Sequence, residues 1–123
     1  MVAPVLLIED DPSIRSVFCE ILEAEGYTVV TAPDAETAVR QLEEGLRPSV
    51  VVVDLHLPRA SGWEVMKYMD QESHLRSVPT ILMSGMPKDD VKLLADAVFK
   101  KPVDVASLLS TIRSFAHRQM PHE

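Results

Sequence analysis

Val50-Val51-Val52-Val53-Asp54 sets the fold class of this chain: four β-branched residues in a row end directly on an acid. Such side chains are stiff about χ1 and favour extended backbone. A strand run without polar alternation must be covered on both faces, as a central strand of a parallel sheet is. Val5-Leu6-Leu7-Ile8 has the same character and also ends on acids, Glu9-Asp10-Asp11.

On either side of these two runs, strand and helix signals alternate. Between them, Asp11-Pro12 opens a helix with an acid at the cap and proline at the first position. Ile14, Val17, Phe18, Ile21 and Leu22 form its apolar stripe, and Gly26 ends it. Thr28 to Ala32 reads as a strand, and Asp34 to Glu44 as a helix stopped by Gly45. Beyond Asp54, a loop with Pro58 and Gly62 precedes a helix carrying Trp63, Met66 and Met69. Pro79 begins the strand Thr80-Ile81-Leu82-Met83-Ser84, a position where proline is tolerated. A short helix over residues 89–95 leads to the strand Ala97-Val98-Phe99. Asp104 caps a last helix whose Val105, Leu108, Leu109, Ile112 and Phe115 are expected to point inward. Five strand–helix units predict an α/β fold, a doubly wound five-stranded parallel sheet with right-handed crossovers. Residues 1–117 form one domain, and 118–123 read as a polar tail or linker stub.

Composition narrows the functional classes. With 123 residues there is room for one core, and 46% hydrophobic with 25% charged residues is ordinary for a globular protein. A net charge of −7 argues against direct binding to a nucleic-acid backbone. No apolar run reaches the roughly 20 residues of a membrane span. Acids follow the first strand at once, no basic stretch precedes it, and Cys19 is the one cysteine. The cytoplasm is therefore the expected compartment.

Ligands of open α/β sheets bind outside the carboxyl ends of the strands. At those ends stand Glu9-Asp10-Asp11, Asp54, Ser84 and Lys100-Lys101. Taken singly, Asp11 reads as a helix cap, Asp54 and Ser84 as turn residues, and Lys101 as a solvated charge. Together they make a site: acids around one crevice repel unless a cation sits among them, and a hard oxygen-rich set suits magnesium. Lys101 then has a purpose as partner to an anionic group added to Asp54.

The combination resembles the receiver domain of two-component response regulators over essentially the whole chain. Matching stretches are Leu7 to Asp11, Val53 to Pro58 with Gly62 after it, Ile81 to Gly85, and Lys101-Pro102. The resemblance implies the flavodoxin-like strand order 2-1-3-4-5, with the fourth helix shortened. It implies Asp54 as the phosphoacceptor, and Asp10, Asp11, Asp54 and the backbone carbonyl of His56 as holders of a Mg2+ ion. Ser84 and Lys101 are implied to contact the phosphoryl oxygens, and the Lys101–Pro102 bond to be cis. The implied donor is a sensor histidine kinase or a histidine phosphotransfer protein; the state is passed on by contact with a protein target, from a monomer. Two departures stand out. The stretch from Ser84 to Lys101 is several residues shorter than the family commonly has, and Val98 stands where the family usually carries the aromatic that reports phosphorylation.

Other functions fit less well. An aspartyl-phosphate phosphatase resembles a pattern with a second acid two residues after the nucleophile, where this chain has His56. A flavodoxin needs a first loop that cradles phosphate, and Glu9-Asp10-Asp11 would repel it. A pseudo-receiver, binding partners without regard to phosphate, is the alternative that Val98 keeps open. The expected role is that of a signalling switch, not an enzyme.

Overall fold

The computed structural model describes residues 2–55, 60–85 and 95–118. Its elements are β1 (Val5–Ile8), α1 (Pro12–Ala24), β2 (Val29–Ala32), α2 (Ala35–Glu43) and β3 (Val50–Leu55). After these come α3 (Ala60–Gln71), β4 (Thr80–Ser84), β5 (Ala97–Lys100) and α4 (Val105–Arg118). All strand pairs are parallel, in the order β2-β1-β3-β4-β5. The expected order 2-1-3-4-5 is therefore the one observed. The short helix expected over residues 89–95 lies outside the described residues, Ala95 excepted, and so does His56.

Alternation along the central strands divides the core in two. Leu6, Ile8, Val51, Val53 and Leu82 face α2 and α3, meeting Ala38, Leu42, Val65 and Met66. Val5, Leu7, Val50, Val52, Ile81 and Met83 face α1 and α4, meeting Leu22, Leu108, Ile112 and Phe115. Because every residue of β1 and β3 through Val53 is buried on one side or the other, a polar side chain becomes affordable only at the strand ends.

Two helix endings share one geometry and aim the chain back into the sheet. After α1, Gly26 adopts φ 93°, the Gly26 N–H donates to the Glu23 carbonyl (3.0 Å) and the Tyr27 N–H to the Leu22 carbonyl (3.2 Å). After α2, Gly45 adopts φ 113°, with Gly45 donating to Leu42 (3.2 Å) and Leu46 to Gln41 (3.0 Å). Both are left-handed closures that satisfy the last carbonyls and favour glycine.

Two expected core residues are not buried. Val17 is 52% exposed because the buried stripe of α1 centres on Leu22, with Phe18 beside it, and Val17 falls on its rim. Val105 is 36% exposed because it opens α4 before the helix settles on the sheet at Leu108.

Candidate functional site

Sheet register brings the polar strand ends to one edge. Ile8 pairs with Val53, so the next residues, Glu9 and Asp54, stand side by side where β1 and β3 finish. Leu55 pairs with Ser84, and Ser84 with Lys100, which sets Ser84 and the residue after Lys100 one strand and two strands away from β3. By parity with Val52 and Leu7, the side chains of Asp54 and Glu9 both continue the face that carries α1 and α4.

Three polar residues at this edge are buried: Glu9 at 1% exposure, Ser84 at 3% and Asp54 at 8%. Lys101 Nζ forms an ion pair with Asp54 Oδ1 across the end of β4. Its reach is set by the backbone, where the Lys101 N–H donates to the Ser84 carbonyl at 2.9 Å and extends the β4–β5 pairing by one residue. The Lys101–Pro102 bond that follows is cis, as the resemblance implied.

Glu9 is the most perturbed acid of the site. Burial, then a hydrogen bond with Asp54, push its carboxyl up from 4.5 to about 9, against the opposing effect of the Asp11 N–H. That N–H donates to Glu9 Oε2 at 2.9 Å. Burial beside a second carboxyl disfavours the charged form of Glu9, so Glu9 keeps its proton at neutral pH. Glu9 belongs to the acidic run that closes β1, and nothing in that run by itself distinguishes it from Asp10 and Asp11. The deciding signal was strand parity, which places Glu9 on the same face as Asp54.

Asp11 takes the cap position that Asp11-Pro12 predicts. Its Oδ1 accepts from the Ser13 N–H (2.8 Å) and the Ile14 N–H (3.2 Å), making it the N-cap of α1. The reason lies in the backbone: Asp11 is extended at φ −81°, ψ 117°, the usual cap conformation, with Pro12 beginning the helix behind it. Among the described residues no three acidic side chains are disposed as ligands of one metal ion. In this arrangement Asp11 Oδ1 serves the helix and Asp54 pairs with Lys101, while His56, the fourth member of the expected set with Asp10, Asp11 and Asp54, lies outside the described residues.

The position of Val98 is clear. It pairs with Leu82 and packs into the α2–α3 face, while its neighbour Phe99 packs into the α1–α4 face. Phe99 cannot substitute for an aromatic at 98, because one step along a strand reverses the side-chain direction.

Comparison with known proteins agrees with this arrangement. The family model "Response regulator receiver domain" matches residues 5–113. The phosphate regulon transcriptional regulatory protein PhoB of Escherichia coli is 32% identical over 98% of the chain, which spans only 55% of PhoB. The polar-differentiation response regulator DivK of Brucella anthropi is 28% identical, over 90% of this chain and 94% of DivK. Among solved structures, the response regulator TrrA of Thermotoga maritima, in complex with Mg2+ and BeF, superimposes with a TM-score of 0.81 at 25% identity. That match covers 92% of this chain and 98% of TrrA. A family match running from the first residue of β1 into the middle of α4, on a sheet with the family's strand order, makes the chain a member of the response regulator receiver domain family.

Proposed function

We propose that the chain accepts a phosphoryl group on Asp54 from a phosphohistidine donor, with a magnesium ion beside it, and signals through protein contacts. The observation that carries this reading is the buried Asp54 carboxylate, paired with Lys101 and hydrogen-bonded to Glu9 at the carboxyl edge of the sheet. A carboxylate so placed is a competent nucleophile: an Asp54 oxygen forms the new bond to phosphorus as the bond to the donor imidazole nitrogen breaks. Phosphoryl transfer has a loose transition state, so positioning and neutralisation of charge are what the site must provide.

The donor set suits a hard divalent cation in kind. Glu9, Asp10 and Asp54 gather oxygen ligands at one edge, and the proton retained by Glu9 marks a site short of positive charge. Asp10, Asp11 and Asp54 are the acids assigned to the ion, joined by the His56 carbonyl, as the resemblance implies, and Glu9 stands beside Asp54 as a further carboxyl of this edge. When bound, magnesium neutralises charge on the transferring phosphoryl group. Lys101 adds a second positive charge and can follow the phosphoryl oxygens once they replace the carboxylate as its partner. The Ser84 hydroxyl, at the end of β4, is assigned a hydrogen bond to the same oxygens.

A sensor histidine kinase or histidine phosphotransfer protein is the proposed donor, a protein target the proposed recipient, and a monomeric switch in the cytoplasm the proposed form. The net charge of −7 weighs against direct nucleic-acid binding, and no helix among the described residues is long and apolar enough to cross a membrane. Residues 1–117 are proposed as the receiver unit and 118–123 as its polar tail. A second reading, a partner-binding module indifferent to phosphate, draws its support from Val98.

The test is incubation with magnesium and a small phosphodonor, followed by intact-mass spectrometry. One phosphoryl group, labile to hydroxylamine, is expected on the wild-type chain and none on Asp54→Asn. Undiminished labelling of Asp54→Asn would refute the assignment.

A further inference from the structure

The Glu9–Asp10–Asp11 turn is held at three points. The Glu9 side chain receives the Asp11 N–H, and the Asp11 side chain receives two helix N–H groups. At the third point, one turn inside α1, Arg15 Nη1 donates to the Glu9 carbonyl oxygen at 2.9 Å. That carbonyl belongs to the peptide that leads into Asp10. Arg15 is half-buried and its own N–H donates to the Asp11 carbonyl at 2.9 Å, so its backbone and its side chain grip opposite ends of the same turn.

From this geometry we infer that Arg15 is a positioning residue for the cation site, fixing the peptide that presents Asp10. The inference rests on the reading of the site as a magnesium-dependent phosphoacceptor. Its physical basis is an apparent contradiction. A permanently charged guanidinium next to a cation site opposes cation binding by Coulomb repulsion. Its presence favours binding only if the geometry it imposes outweighs that repulsion. A rigid acidic turn loses less freedom on meeting the ion than a loose one, and groups that orient ligands contribute strongly to metal affinity.

The two effects have opposite signs, which makes the test decisive. Magnesium is titrated calorimetrically into wild type, Arg15→Met and Arg15→Lys, with no phosphodonor present. Positioning predicts that Arg15→Met binds magnesium roughly 3- to 10-fold more weakly, the mild end of the range for residues behind metal ligands. Arg15→Lys, which keeps a donor and a charge on a less suitable head group, should recover part of the loss. Tighter or unchanged binding by Arg15→Met overturns the inference, as does a variant that melts lower yet binds as wild type does. If Arg15→Met fails to fold, Arg15→Gln takes its place and the same sign of change decides. A wild-type chain that binds no magnesium overturns the reading of the site itself, and with it the place given to Arg15.

Discussion

Glu9 and Asp54, at the ends of neighbouring parallel strands, are hydrogen-bonded to each other, and burial together with that bond raises Glu9 to about 9. Below about 4.5 both the folded and the unfolded chain hold this proton; between 4.5 and about 9 only the folded chain does. Glu9 thus stabilises the metal-free fold at low pH, and its contribution is lost as the pH rises towards 9. Melting curves in chelator at several pH values across this window should show stability falling, with the fall reduced in Glu9→Gln. An equal slope in that variant would mean the proton resides elsewhere. Magnesium bound at the proposed site would displace the same proton, so its affinity should climb with pH over the same interval.

Asp11 offers a separation of cap from ligand. Loss of the N-cap in Asp11→Ala should cost about 1 kcal/mol, a few degrees in Tm, whether or not magnesium is present. Asp11→Asn keeps a capping oxygen and should melt close to wild type. Loss of the stabilisation by magnesium in Asp11→Asn would show that Asp11 is a ligand as well as a cap.

Lys101→Met should destabilise the metal-free protein at neutral pH, because it strands the buried Asp54 charge. Lys101 keeps 28% of its side chain in contact with solvent, so the cost lies below the 3–5 kcal/mol of a fully buried pair, roughly 1–3 kcal/mol. Adding Asp54→Asn to Lys101→Met should restore most of the loss, since no charge is then left without its partner. Chemical denaturation of the four chains measures the coupling; simple additivity would show that the pair does not stabilise the fold.

Output through residues 86–99 is expected to be weak. A phosphoryl group can shift a two-state equilibrium only by its differential binding to the two states. Val98 supplies no rotating ring, and Phe99 packs on the opposite face of the sheet. With beryllofluoride and magnesium, amide exchange should change little over 86–99 and sedimentation should still give a monomer. Strong new protection there together with a stable dimer would show that the usual switch operates.

Much of this protein was legible in one dimension. The unbroken apolar runs Val5–Ile8 and Val50–Val53 can only be buried strands, Gly26 and Gly45 stop helices because the backbone turns left-handed there, and polar residues begin where the runs end. These are local properties, written into adjacent residues, and they sufficed for the fold class and for Asp54 and Lys101 as neighbours at one edge. The order of strands was carried by resemblance, because which strand lies beside which is decided by packing between segments far apart in the chain.

The different surroundings of three consecutive acids arise only on folding. Glu9, Asp10 and Asp11 are equivalent as a string of carboxylates. Strand register sets Glu9 against Asp54, the first turn of α1 claims Asp11, and Arg15 takes hold of the peptide between Glu9 and Asp10. Burial finishes the distinction, because the Glu9 carboxyl, removed from water beside another, keeps its proton. Depth and neighbours exist only after the chain has folded, and at this edge of the sheet they give three adjacent carboxylates three different surroundings.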